Sequence, residues 1–326
     1  MIKYIQNKTL KHTFFLNIIE PSNTTNVFSN YGPIVKELEV TARDMLKISD
    51  DKAVIATSSG TTALAAMIQG IRRTTKNKVN RVCTQDFTFA CNSVGPAEGP
   101  IVVDIDNSCM IDFEDKYLQE DSEIIILTNC FGHLYDTNLV KEKLKDKVVI
   151  YDNAASPYSF IDGDNSCNLG TGSFISLHHT KPIGFGEGGI AIIDKEYEEY
   201  TRAAVNFGMI NGSFNEFGGN HKMSEISAAG ILQWWEQFSI DELANKYLDN
   251  YYNLRNLLRE TDGDFWPHYG DENFFPNCLP FVHREPTSMS SYGKREVRKY
   301  YKPIRDFPFS SYIYDRISCF SITDDL

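Results

Sequence analysis

The sequence lacks several features, and each absence removes a class of function. It has no apolar run long enough to span a bilayer, no low-complexity tract, and no charged-then-apolar leader at its first residues. A helical membrane protein and a disordered linker are thereby set aside, and the expectation is a soluble, cytoplasmic chain. Basic residues are scarce: 32 Lys and Arg face 44 Asp and Glu, for a net charge of -12. That balance argues against nucleic acid or a membrane surface as partner, while leaving room for one local basic pocket that a phosphate-bearing substrate would need. The seven cysteines include no CxxC pair, and the seven histidines form no HExxH. Reduced, mostly buried thiols fit better than a disulfide framework, and no metal site is expected.

What is present is globular. The 326 residues are 42% hydrophobic and 23% charged, enough for about two domains. Residues 1–35 read as polar and irregular, and a helix is expected from Ile34 to about Ile48. Candidate strands at 53–57, 81–84, 101–104, 124–128, 148–152, 173–177 and 189–193 are separated by intervals long enough for crossover helices. This is an α/β pattern, with a mostly parallel central sheet flanked by helices. Helices are expected at 223–238 and 240–258, and residues 260–290 read as loops joining irregular strands. The division expected is 1–238 as a large domain and 239–326 as a smaller C-terminal α+β domain.

In such sheets ligands gather beyond the carboxyl ends of the strands. Ser59, the stretch from Phe87 to Phe89, Asp152 and Lys181 all follow predicted strand ends. Lys181 lies just past the strand at 173–177 and before a glycine cluster, a setting suited to an amine that forms an imine with a carbonyl. Alone, a lysine there is more often a solvated charge. Gly184, Gly186 and Gly189 satisfy GxGxxG, but they lie between a lysine turn and a strand, so the dinucleotide reading fails for want of a helix to receive the phosphates. Ser58 to Thr62 joins a strand to an apolar helix. Free N–H groups there, with hydroxyls of Ser59, Thr61 and Thr62, would suit a phosphate, although simple N-capping explains the same residues. Asp152 closes VVIYD, where a carboxylate can sit deep if it has a cationic partner such as a protonated pyridine. Phe89 offers a flat face for a planar ring, and Ser176 a hydroxyl.

The ordered set NVFSNYGP (26–33), SSGTTAL (58–64), DFTFA (86–90), FGHLYD (131–136), YDNAA (151–155), SLHHTKPIGFGEGG (176–189), GGNHKMSEISAAG (218–230) and VRKYYKPI (297–304) resembles the DegT/DnrJ/EryC1/StrS family of sugar aminotransferases. The resemblance runs from about Asn26 to Leu326 and implies the aspartate-aminotransferase fold with pyridoxal 5'-phosphate as cofactor. It implies that Lys181 carries the cofactor and moves the proton, Asp152 keeps the ring nitrogen protonated and Phe89 stacks on the ring. Gly60, Thr61 and Ser176 would hold the phosphate, and Asn220 would reach it from the second subunit of a homodimer with shared active sites. Tyr31, His179, Arg298 and Tyr300 are the positions it turns toward the substrate. The activity implied is transfer of an amine from an amino acid, usually glutamate, to a nucleotide-linked keto-sugar; a histidine in place of Lys181 would have pointed to sugar dehydration. The alternatives are a catalytically weak binding protein of the same fold, or an aminotransferase for a non-nucleotide ketone such as a cyclitol. Three departures stand out: Ala155 where relatives have Gln or His, Lys222 where they often have arginine, and a small domain expected to be shortened.

Overall fold

The computed structural model describes residues 2–76, 78–259, 261–268, 270 and 273–323. In chain order the elements are α1 (His12–Thr25), α2 (Pro33–Met45), β1 (Lys52–Thr57), α3 (Gly60–Thr74), β2 (Val82–Gln85), β3 (Ile101–Val103), α4 (Lys116–Glu120), β4 (Ile124–Thr128), α5 (Thr137–Lys143) and β5 (Val148–Asp152). A short hairpin, β6 (Phe160–Ile161) and β7 (Asp164–Asn165), precedes β8 (Gly172–Ser176), β9 (Gly189–Asp194), α6 (Glu198–Val205), α7 (Glu225–Trp235) and α8 (Ile240–Leu258). The remainder is β10 (Gly263–Phe265), β11 (Leu279–His283), β12 (Ser291–Tyr292), β13 (Arg295–Arg298), α9 (Pro308–Arg316) and β14 (Ile317–Phe320).

Strands β1 and β4 are buried at every position, as strands covered on both faces must be. They belong to a seven-stranded sheet in the order β1-β9-β8-β5-β4-β2-β3, parallel except for β9, which runs antiparallel to both neighbours. Every parallel strand therefore delivers its following turn to one edge, and β9 departs from that same edge. Helix α3 begins at Gly60, earlier than the apolar run starting at Ala63 suggests, because Ser59 and Thr62 close a reciprocal cap around its first turn. A second, antiparallel sheet has the order β10-β11-β14-β13-β12. The stretch at 260–290, read as loops joining irregular strands, supplies β10 and β11, and residues 260, 269, 271 and 272 of it lie outside the described residues. Among the described residues no helix is long and apolar enough to cross a membrane.

The segment expected to be irregular contains helix α1, despite an internal Pro21 and a polar Ser22–Thr25 tail. Local propensity disfavours it, and packing overrides propensity. Ile19 and Ser22 are buried against the core, and the Ser22 hydroxyl donates to Glu225 Oε2 at 3.0 Å. The same buried carboxylate accepts the N–H groups of Ile34 (2.7 Å) and Val35 (3.2 Å) at the start of α2. A Cβ on Gly32 would lie 2.6 Å from the Glu225 carboxyl carbon, so glycine is required there. One side chain from α7 thus fixes α1 and the N-terminus of α2, where negative charge is favoured.

The two sheets are joined through carboxylates at the ends of β2 and β3. Asp86 accepts from the backbone of Arg305 (2.6 Å) and Phe307 (2.9 Å). Asp104 accepts from the N–H groups of Phe309 and Ser310, both at 2.8 Å, at the start of α9.

His133 of the FGHLYD stretch is buried, packed 4.9 Å from the Phe274 ring and 4.8 Å from that of His268, with no partner for either ring nitrogen among the described residues. Burial first, then the charges of His268 and Arg255, push its pKa well below the usual histidine value. The folded protein therefore binds fewer protons here than the unfolded chain. Stability is full above the unfolded value of about 6.5 and is lost as pH falls below it, by up to about 1.4 kcal/mol per unit. Thermal melts at pH 7 and pH 5 should show a drop in midpoint that shrinks in His133→Phe; an equal drop in both proteins would remove His133 from this account.

Candidate active site

The turn after β8 is built without a ladder partner for most of its carbonyls. Its own bonds are few: Lys181 N–H to His178 O (2.9 Å), Gly184 N–H to Lys181 O (3.0 Å) and His179 N–H to Gly186 O (2.8 Å). A Cβ on Gly184 would meet the His178 carbonyl oxygen at 2.1 Å, so this glycine permits the tight return. The remaining carbonyls are held from outside. Trp234 Nε1 donates to Pro182 O (3.1 Å) and Trp235 Nε1 to Ile183 O (2.7 Å). Lys8 Nζ donates to His179 O (2.9 Å), Lys181 O (2.5 Å) and Gly184 O. No helix follows these glycines: β9 starts at Gly189, which disposes of the dinucleotide reading.

Lys181 projects from this turn into a cavity of about 320 Å³ at the carboxyl edge of the large sheet. Asp152, Phe89, Gly60, Thr61, Ser176, Arg298 and Tyr300 also line it, so most of the residues singled out from sequence converge. Asp152 closes β5 and is 3% exposed. Its carboxylate accepts from Ala154 N–H (3.0 Å) and Asn92 Nδ2 (3.3 Å). Burial raises its pKa, and Ala154 N–H, the Lys181 charge, Asn92 and Thr128 pull the other way. Burial likewise lowers the pKa of Lys181, opposed by Asp152 and two cysteines. The amine is thus shifted toward the neutral, nucleophilic form.

The start of α3 supplies the anion site. Ser59 Oγ accepts Thr62 N–H at 3.2 Å and Thr62 Oγ1 accepts Ser59 N–H at 2.9 Å. The hydroxyls of Ser59 and Thr62, expected to face a phosphate, are therefore engaged in capping. Gly60 and Thr61 remain toward the cavity, with Ser176 behind them. A Cβ on Gly60 would stand 3.2 Å from Ser176 Cβ, and one on Gly189 would sit 2.3 Å from the Ser59 carbonyl carbon. Two glycines thus let this turn lie flat on β8 and β9. Phe89 is 56% exposed, with its surface on the cavity side available to a planar group.

Tyr31, His179 and Asn220 lie outside the cavity of the single chain. Tyr31 packs on the core with the Arg202 guanidinium 5.9 Å from its ring. His179 meets the Phe185 ring edge at 5.7 Å, and its neighbour His178 is the histidine that lines the cavity, 3.4 Å from Glu187 Oε1. Asn220 is exposed and accepts from Lys222 Nζ at 2.7 Å. Sequence reasoning missed Tyr4, Gln6 and Lys8, which line the cavity from the N-terminal segment, and Asn129, whose buried amide oxygen has no partner among the described residues. Ala155 lines the cavity with no polar group to offer. Trp234 and Trp235 are core side chains whose indole N–H groups also hold the lysine turn.

An amine and a carboxylate buried in one cavity, beside a helix start with open N–H groups and an exposed phenyl face, define a site for a phosphorylated, cationic aromatic aldehyde. The donor set fits pyridoxal 5'-phosphate: Asp152 accepts hydrogen bonds from neutral donors, and these together with the nearby Lys181 charge leave its pKa above the ordinary value, which a cationic ring nitrogen would lower. The sequence signature of the DegT/DnrJ/EryC1/StrS aminotransferase family runs through residues 11–279, and the chain belongs to that family, whose cofactor is pyridoxal 5'-phosphate. Protein Mb3436c of Mycobacterium bovis is 30% identical over 234 residues, 64% of this chain and 54% of its own length. The chain thus spans about half the length of the curated relatives it matches. The fold is similar to that of DesI, solved in the presence of its TDP-sugar product (TM-score 0.78, 18% identity, 98% of this chain and 87% of DesI). It is also similar to the PLP-form of Spr1654 from Streptococcus pneumoniae (TM-score 0.80, 14% identity, 99% and 94%).

Replacing Asp152 by Asn keeps the shape of the site and removes the negative charge. Cofactor should still bind, while the rate of amine transfer to it from an amino acid falls by about 100-fold or more. Stopped-flow absorbance measures this, and a wild-type rate would show that the carboxylate is not needed.

Proposed function

We propose that the chain is an aminotransferase that takes an amine from an amino acid, with glutamate the expected donor, and delivers it to a nucleotide-linked keto-sugar. The observation that carries this reading is the pair of opposite pKa shifts, Lys181 down and Asp152 up, produced by burial in one cavity. When bound, pyridoxal phosphate supplies an aldehyde that links to amines and a ring that accepts an electron pair. Lys181 Nζ takes the proton from the donor's α-carbon and later returns one to the acceptor's carbon. The carboxylate of Asp152 holds a proton on the ring nitrogen, Phe89 covers one ring face, and Gly60, Thr61 and Ser176 hold the phosphate. Arg298 lines the cavity paired to Glu296 at 2.7 Å, a guanidinium placed for the charge of a phosphate-bearing substrate; Tyr300 stands beside it. DesI, crystallised with a TDP-sugar product, supports a nucleotide sugar as the substrate class. Seven free cysteines support a reducing, cytoplasmic setting. We divide the chain between residues 238 and 239, in the link between α7 and α8.

Purified protein given pyridoxal phosphate should show a visible absorption band that is absent in Lys181→Ala and bleaches on addition of glutamate. Nucleotide keto-sugars should then restore the band, and a cyclitol ketone should not. No lysine-dependent band would end the catalytic reading, and restoration by the cyclitol alone would replace the acceptor.

The working unit in this reading is a homodimer with shared sites. Residues 206–220 form a bridged loop exposing Phe207 (43%), Met209 (38%) and Phe214 (69%), an apolar surface on the segment that carries Asn220. Asn220, outside its own cavity, would reach the phosphate of the partner's cofactor. Mixing inactive Lys181→Ala with weakened Asn220→Ala should regenerate activity, because hybrid dimers then hold one intact site. A mixture no more active than its parts would mean that each chain completes its own site.

A further inference from the structure

Residues 2–8 form an N-terminal arm, bridged to the small sheet at Ile2 and bent at Tyr4 and Ile5, whose side chains Tyr4, Gln6 and Lys8 line the cavity. One end of the arm is stitched to the small sheet. Ile2 N–H donates to Lys294 O (2.6 Å), Glu296 N–H to Ile2 O (2.9 Å), and Tyr4 N–H to Glu296 Oε2 (2.8 Å). The Ser321 hydroxyl donates to Lys3 O at 2.7 Å. The Tyr4 ring lies 5.7 Å from that of Tyr300 and 4.7 Å from the Arg298 guanidinium. The other end is Lys8, whose amine takes three carbonyls of the Lys181 turn and sits 5.3 Å from the Trp234 ring.

The geometry points to Lys8 as the clasp of the active site: a positioning residue that fixes the turn bearing Lys181 and, through the same bonds, pins the arm that presents Tyr4 and Gln6 to the substrate half of the cavity. This rests on the reading of Lys181 as the amine that carries the cofactor. Of the carbonyls from His179 to Gly184, three depend on Lys8 and two on the tryptophans. The indoles are rigid and belong to a buried helix, whereas Lys8 belongs to a segment outside any helix. Loss of its three bonds strands the His179 and Gly184 carbonyls, whereas the Lys181 carbonyl keeps the Gly184 N–H. Burial pushes the Lys8 amine down to about 7, so the clasp is not an ordinary solvated lysine. Gln6 Oε1 is buried without a partner among the described residues, an open acceptor on the cavity wall suited to a sugar hydroxyl.

The test is amide hydrogen exchange on the cofactor-free protein, with a spectral titration of the loaded protein beside it. In the wild type, the amides of Tyr4, Lys181 and Gly184 should exchange as one unit. Lys8→Met, which keeps the stem and loses the donors, should speed exchange of both arm and turn by at least about tenfold and shift the pH midpoint of the Lys181-dependent band by at least about half a unit. Lys8→Arg, which restores charge and donors, should recover much of both. Wild-type protection of the turn in Lys8→Met overturns the proposal. So does a wild-type arm that exchanges more than about tenfold faster than the turn, a comparison that stands even if Lys8→Met does not fold. The exchange result does not need cofactor: a wild-type protein with no visible band would refute the aminotransferase reading and leave the clasp to be judged by exchange alone.

Discussion

A sharp turn between two sheet strands leaves carbonyl groups that no ladder can pair, and Lys181, the amine of the cavity, stands on such a turn. The solution is to bring donors from far away in the chain. Two adjacent indoles from α7 and one ammonium from the N-terminal arm supply what the backbone cannot. Adjacent helix positions ordinarily point apart by about 100°. Here Trp234 and Trp235 nevertheless reach consecutive carbonyls, those of Pro182 and Ile183. Position of the amine is therefore a property of three separated segments, and it is defined before any ligand arrives.

Burial acts on the amine and the carboxylate of that cavity in opposite directions, and the consequence is chemical. Charge is disfavoured on both, so Lys181 moves toward a neutral nucleophile while Asp152 moves toward a neutral acid. Neutral donors from Asn92 and Ala154 only partly offset the cost for the carboxylate. Asn92 is itself held by Thr88 Oγ1 (2.8 Å) and Thr128 Oγ1 (3.0 Å), so the loop that carries Phe89, strand β4 and strand β5 are tied around one acid. A cationic ring nitrogen would favour the charged form of that carboxylate, which is a physical reason for the site to prefer a pyridinium over another flat phosphate ester.

The parts of this arrangement legible in the sequence were those encoded locally. Buried strands such as IIILT and VVIYD fix their own boundaries, and Asp152 and Lys181 follow strand ends whose direction the sheet then forces to one edge. The cap at Ser59 was legible too, and of its two readings the capping is what the structure displays. What stayed hidden was non-local. Nothing near Lys8 in sequence distinguishes it from a surface lysine, because its acceptors lie 171 to 176 residues away. Helix α1 was hidden for the same reason: its proline and its Asn, Ser and Thr residues speak against a helix, and the stabilising partner is Glu225. His178 and His179 could not be ranked without knowing which face of the turn meets the cavity.

The separations have a consequence for how the site comes into being. Lys8 meets the Lys181 turn across more than 170 residues, Asp86 meets Phe307 across 221, and Ser321 meets Lys3 across 318. Loop-closure entropy is borne before contacts so distant can reward it. Much of the large sheet, including β4 with β5 and β8 with β9, pairs strands near one another in sequence and can condense on local terms, β1 with β9 excepted. The cavity cannot. Its wall is made from the arm, β13 and the turn after β8, so it closes only when the small sheet has formed and the arm has been laid across both. Lys181 is thus embedded in the part of the fold that the longest-range contacts complete, and its placement reports on the assembly of the whole chain.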